Sequence, residues 1–219
     1  MHYDPKAKDV YDFGYEYDGL PKALTPAQRA KCIHYLNPSF RYNNSYERLG
    51  SILNTYLPMD ILYACLGYEW TVCDNIASHG RTLQMVLQIA SRKQRHLMMN
   101  DKELEEWHKL PDTLTIYRYC YANNQVGFSY SLNKEVAESF TTYLRYQQQG
   151  NKQKYIVTAS FPKQYAVLKL GREEEEIIVT HLGRVKTLKR ERISPEQVKL
   201  FSARNAARKQ KKSDNQKLA

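Results

Sequence analysis

Gly171-Arg172-Glu173-Glu174-Glu175-Glu176-Ile177-Ile178-Val179 sets four consecutive carboxylates against a β-branched apolar triplet. β-Branched residues suit a packed pleated surface, so Ile177 to Val179 predicts a buried strand with the glutamates at its mouth. In extended backbone successive side chains alternate faces, so Glu174 and Glu176 share one face and Glu173 and Glu175 the other. Two carboxylates on one face repel, which raises the pKa of at least one and readies the pair for chemistry. A solvated acidic turn before an ordinary strand would carry the same run. Its meaning depends on what stands upstream.

Working back from it, Tyr155 to Phe161 and Tyr165 to Leu170 read as two strands divided by Pro162-Lys163, after a polar loop from Gln147 to Lys154. Leu110-Pro111-Asp112 is a turn, and Leu114 to Tyr119 is a strand with Arg118 near its far end. An arginine there serves either as an edge-strand gatekeeper or as a phosphate clamp, for which the guanidinium fork is better shaped than lysine. Gly127-Phe128-Ser129-Tyr130-Ser131-Leu132 is a short strand with hydroxyls at alternate positions. Asn133 then caps a helix whose inner face holds Val136, Ala137, Phe140 and Leu144.

The first half reads as helical scaffold. Thr25-Pro26-Ala27-Gln28 supplies an N-cap, a proline at N1 and a glutamine at N3, predicting a helix to about Leu36 that stops before Asn37-Pro38. A second helix opens at Asn43-Asn44-Ser45, a strongly apolar third spans Met59 to Trp70, and a fourth runs from near Ser78 towards Leu97. Asp101 to His108 is a fifth, with Leu104 and Trp107 buried. His34, His79, His96 and His108 fall singly, without the partners a catalytic histidine needs. Arg92, Lys93, Arg95 and His96 form either a cationic helix end or a phosphate patch. The expected fold class is α+β: a helical segment at 1–109, a β core at 110–200, and a basic tail at 201–219 expected to be disordered.

The net charge is +10, of which +5 falls in the tail beyond Ser202 and +5 on the rest of the chain. Such an excess suits an anionic partner such as nucleic acid, an acidic protein surface or a phosphate-bearing ligand. Eighteen tyrosines would supply stacking platforms for unpaired bases, although tyrosine is also an ordinary core and surface residue. Cys32, Cys65, Cys73 and Cys120 form no CxxC pair and no cluster with histidine, which argues against a zinc site and a disulfide scaffold and for reduced thiols. With no apolar leader and no bilayer-length apolar run, the expectation is a cytoplasmic protein without a membrane partner.

Taken in order, Tyr117-Arg118, then Gly127 to Leu132 with the Glu135-Val136-Ala137-Glu138-Ser139-Phe140 helix, then Glu174-Glu175-Glu176-Ile177-Ile178-Val179, the chain resembles a family. It is similar to the Arg-Ser-Glu class of mono-ADP-ribosyltransferases, the group of cholera-toxin-like and clostridial binary-toxin enzymes. The likeness is greatest to small bacterial and phage members that lack translocation domains, and it spans Leu110 to Val179. It implies a split pair of antiparallel-rich sheets cradling NAD, which is substrate rather than resident cofactor, and no metal. Arg118 would hold the NAD phosphates and brace the cleft. Ser129 would tether the sheet and position the catalytic glutamate, with Ser131 its partner. Glu176 would be that glutamate, and Glu174 would help engage the acceptor. The family usually has glycine after the arginine, where this chain has Tyr119.

The chemistry fits those residues. Breaking the nicotinamide–ribose bond develops positive charge on the sugar, as in glycoside hydrolysis, and a preorganised carboxylate stabilises it. A second, same-face carboxylate can polarise the incoming nucleophile. The acceptor divides the readings. Glu174-x-Glu176 points by resemblance to arginine in a protein, whereas the basic balance points to nucleic acid, with RNA preferred. A toxin of a phage-defence or toxin–antitoxin module, with a neutralising antitoxin or chaperone partner, fits such an enzyme, as does a phage effector. The alternatives are an NAD glycohydrolase with water as acceptor, and a nucleic-acid-binding protein without catalysis.

Overall fold

The computed structural model describes residues 19–36, 45–71, 73, 76–142, 152–171 and 175–217. Six helices come first: α1 (Pro26–Leu36), α2 (Ser45–Asn54), α3 (Met59–Trp70), α4 (Gly80–Ile89), α5 (Arg92–Leu97) and α6 (Asp101–Lys109). Then follow β1 (Thr113–Tyr121), β2 (Ser129–Ser131), α7 (Lys134–Ser139), β3 (Lys154–Pro162), β4 (Ala166–Lys169), β5 (Glu176–Val179), β6 (Lys186–Arg192) and α8 (Pro195–Lys217). The class is α+β, helices first and an antiparallel sheet after them.

The strands form one sheet in the order β4-β5-β2-β1-β3-β6. The two halves that the resemblance implies are therefore hydrogen-bonded to each other, but only narrowly. β1 and β3 pair along nine residues, whereas β1 and β2 meet at the single pair Tyr117–Ser131. The narrow join falls beside Arg118 and Ser129.

The helices pack on the Leu114 face of β1 and β3, whereas β4 and β5 are buried on both faces, Val167 turning opposite to Ile177 and Val179. Leu114, Ile116, Ala159, Phe161, Val167, Ile177 and Val179 share a continuous core with Leu36, Ile61, Leu66, Leu83 and Met99. Along β1 the alternate residues Tyr117 and Tyr119 turn to the other face and pack on a smaller cluster, Ala137, Ile156, Ile193 and Phe201, beneath α7 and α8. α3 is buried almost all round, as its apolar sequence requires. Its Gly67 lies against α5's exit so closely that a Cβ there would come within 2.1 Å of the Met98 carbonyl oxygen. Only glycine lets the two backbones approach this way, and the approach fixes where Trp70 points, one turn further on.

Three expectations need correcting. The continuous helix from Ser78 to Leu97 is broken: a 3₁₀ turn (Ile76–His79) leads into α4, Ala90 is extended, and Ser91 starts α5 with a full capping box to Gln94. Ser91-x-x-Gln94 is itself a helix-start signal, and it wins over the apolar periodicity. The basic tail, expected to be disordered, is helix as far as Lys217, the last described residue. Val198 and Phe201 seat the start of α8 on the smaller cluster, and the alanine, arginine, lysine and glutamine that follow are good helix formers. β6 falls within the expected β core at 110–200, in a stretch for which the sequence names no individual strand. The helix after Asn133 is shorter than expected, ending in a 3₁₀ turn (Phe140–Thr142), while Leu144 and most of the Gln147–Lys154 loop lie outside the described residues.

Candidate active site

Glu176 opens β5, paired on one side with Lys169 of β4 and on the other with Ser131 of β2. Its Oε1 accepts a hydrogen bond from the Trp70 indole Nε1 at 2.9 Å, and the Ser129 hydroxyl lies close enough to favour the carboxylate form. Burial is the main influence on this carboxyl and raises its pKa. The Ser129 hydroxyl and the Trp70 indole, then the positive charges of Lys169 and Arg118, oppose that rise by favouring the anion. The residue as a whole is half-buried. A carboxylate held by an indole donor, beside a hydroxyl and short of water, is a preorganised negative charge.

From β1, the positive charge of Arg118 reaches Glu176 and is the smallest of the influences favouring its anion. The arginine's Nη1 donates to the Ser129 carbonyl at 2.6 Å and its Nε to the Asn124 carbonyl at 3.4 Å, so the guanidinium braces the β1–β2 loop around the narrow join. Its carbon lies 5.7 Å from the Tyr130 ring centre. Gly127 leaves room for the guanidinium, since a Cβ would sit 2.6 Å from Arg118 Nη2 and push it aside. Arginine carries five N–H donors, and these two hydrogen bonds leave others for an anion.

The structure thus brings together Arg118, Ser129 and Glu176. Ser131 has a different role. It is buried in the strand pair, and its Oγ accepts from the Asn133 amide at 3.0 Å, which fixes the turn into α7. Glu174 lies outside the described residues. Its neighbour Glu175 is exposed, and its backbone carbonyl accepts from the Leu132 amide at 2.9 Å. Tyr119 occupies the face opposite Arg118, with its hydroxyl pushed up in pKa by burial, so the ring is absorbed by the cluster under α7 and does not crowd the arginine.

Sequence reading missed Trp70 and Lys169. Trp70 ends the apolar α3, more than 100 residues from Glu176, and its only signal is that a buried indole N–H needs an acceptor. Lys169 is buried with Glu103 in an ion pair of 2.7 Å, and its Nζ also donates to the Met98 carbonyl at 3.0 Å. Glu103 accepts as well from the Leu170 and Asn100 amides, so one carboxylate caps α6 and pins the end of β4. This network holds the frame from which the acidic segment departs.

A cavity of about 300 Å³ opens on the far side of that network, lined by Tyr68, Thr71, Asn100, Lys102, Lys169 and Gly171 among others. Arg118, Ser129 and Glu176 do not line it, and it belongs to the frame rather than to the chemistry. The basic cluster of α5 is engaged in packing: Arg95 is buried and bonds the Ala90 carbonyl, Lys93 pairs with Asp60 at 2.8 Å, and Arg92 lies over Trp107. The cysteines are buried free thiols. Among the described residues no helix is long and apolar enough to cross a membrane, and no group of three or more acidic, histidine or cysteine side chains could hold a metal. Comparison with protein-family models, with curated proteins and with solved structures finds no match.

Proposed function

We propose that the protein is an NAD-dependent mono-ADP-ribosyltransferase that carries ADP-ribose to a macromolecular acceptor, with RNA preferred over arginine in a protein. The observation that carries this reading is the convergence on one carboxylate. Glu176 is held by Trp70, and the Ser129 hydroxyl and the positive charge of Arg118, itself braced on the Ser129 carbonyl, favour the same anion. NAD supplies a glycosidic bond to a good leaving group and a diphosphate. The unused N–H donors of Arg118 suit the diphosphate, in the planar geometry that favours arginine over lysine. Glu176 would face the ribose carbon as positive charge develops there and accept from the sugar hydroxyl. Ser129 and Trp70 would keep it anionic and in place.

The test incubates labelled NAD with the full chain and a bacterial lysate, followed by nuclease or protease treatment, with Glu176→Gln as control. The expected outcome is label in nuclease-sensitive material that the variant does not produce. Label lost to protease but not to nuclease would move the acceptor to protein. Nicotinamide release without any labelled macromolecule would make the protein an NAD glycohydrolase. No label and no nicotinamide release would overturn the enzymatic reading.

A further inference from the structure

The charge of this chain is concentrated at one place in its fold. Between Arg184 and Lys217 stand twelve basic and three acidic side chains, and the first 183 residues carry twenty-one against twenty. That segment forms β6 and α8. β6 is an edge strand, with every residue but Glu191 exposed. Charged residues, lysine above all, protect a bare edge from pairing. Here arginines join the lysines and the positive residues continue past the edge into α8, and among Lys186, Lys189, Arg190 and Arg192 only Lys189 is ion-paired within the described residues, at 3.1 Å to Glu191.

A bulge between Thr158 and Ala159 leaves Leu188 without a partner on β3 and divides the basic residues between the two faces of the strand. Lys186 and Lys189 stand on the face of α7 and α8, where exposed Lys199 continues the positive surface and exposed Arg204 pairs with Glu138 at 3.4 Å. Arg190 and Arg192 stand on the other. Arg190 lies 4.5 Å over the Tyr155 ring and donates to Gln125 Oε1 at 3.1 Å. Gln125 follows Asn124, whose carbonyl holds Arg118. The basic edge is therefore tied to the loop that braces the candidate active site.

We infer that β6 and the first half of α8 form a docking surface for single-stranded RNA, which binds by its phosphates and leads towards the Arg118 side of the site. The inference rests on the RNA reading of the acceptor and not on ADP-ribosyl transfer itself. Lysines on an extended edge neutralise a backbone without reading sequence, and a guanidinium stacked on a tyrosine offers a flat surface to an unpaired base. A duplex keeps its base faces stacked inside and would leave that surface unused.

The probe is a fluorescein-labelled single-stranded RNA of mixed sequence, about 20 nucleotides, long enough to exceed one site. It is titrated with the full chain by fluorescence anisotropy between about 50 and 200 mM salt. Lys186→Gln/Lys189→Gln/Arg192→Gln is expected to bind at least ~10-fold more weakly, with a log–log salt slope shallower by about 2. The charge-matched control Lys22→Gln/Lys31→Gln/Arg81→Gln, on the helical half, is expected to bind as wild type. Equal binding by the edge variant, or an equal loss in the control, would overturn the surface. Single-stranded or duplex DNA of the same sequence binding as tightly as RNA would overturn the choice of ligand. Nicotinamide release is followed in parallel and is expected to be the same in the edge variant and wild type. A wild type that binds RNA but releases no nicotinamide would refute the transferase and leave the docking surface standing.

Discussion

The indole N–H of Trp70 reaches Glu176 Oε1 at 2.9 Å, so the last residue of an N-terminal helix holds the first residue of the acidic strand. The helical half is thereby part of the site and not only its support. A hydrogen bond to a charged acceptor contributes ~1.5–3 kcal/mol. Trp70→Phe, which removes the donor and keeps most of the packing, is expected to lower kcat for NAD cleavage by about 10- to 100-fold. KM should change much less. Steady-state kinetics check this, and an unchanged kcat would separate Trp70 from the chemistry.

Burial raises the Glu176 pKa, and the proposed reaction would need the carboxylate. The acid limb of kcat/KM should therefore lie above the ordinary glutamate value of about 4.3. It should move higher still in Trp70→Phe, which loses a group that favours the anion. The stability consequence has a definite sign. A carboxyl whose folded pKa is raised destabilises the fold above that pKa, and the effect vanishes below the unfolded pKa. Glu176→Gln should then be more stable than wild type at neutral pH, with the difference fading in acid. Thermal melts across that range check it.

Lys169 and Glu103 are both buried, 2.7 Å apart, and burial lowers the lysine's pKa. Glu103→Ala leaves that ammonium uncompensated and frees the Leu170 and Asn100 amides, so it should cost ~3–5 kcal/mol of stability. Glu103→Leu with Lys169→Met removes both charges and should recover part of the loss. Urea denaturation of the single and double variants measures it. A loss as large in the double as in the single would mean that the amide caps, and not the stranded charge, set the cost.

Gly127 lies under the Arg118 guanidinium, where a Cβ would stand 2.6 Å from Nη2. Gly127→Ala is expected to displace the arginine and raise KM for NAD roughly 10-fold with less effect on stability. Arg118→Lys keeps the charge and loses the planar fork, and should raise KM by a similar amount or more. Kinetics paired with melting curves separate these outcomes from simple unfolding.

The elements that the sequence made legible are those with a strong local pattern. Thr25-Pro26 opens α1, Asn133 caps α7, and Ile177 to Val179 is a buried strand, each where its residues predict it. Arg118, Ser129 and Glu176 were named from motif order, and the fold brings them together. β6 was invisible because an edge strand made of KTLKRER has no apolar alternation to betray it, and its pairing depends on β3. From residue 201 on, α8 looks like a loose tail in the sequence because its charge outweighs its helix-forming composition. Trp70, Lys169 and Glu103 belong to the site's frame through contacts across 66 to 106 residues, which no local window carries. Ser131, by contrast, shares a motif with Ser129 but turns out to anchor the turn into α7.

The most direct measurement is nicotinamide release from NAD by the purified full chain, beside Glu176→Gln. The expected result is sustained release by wild type and a loss of at least ~100-fold in the variant, which keeps the shape of the side chain and removes its charge. Equal release by the two proteins, or none by the wild type, would contradict Glu176 as the catalytic carboxylate.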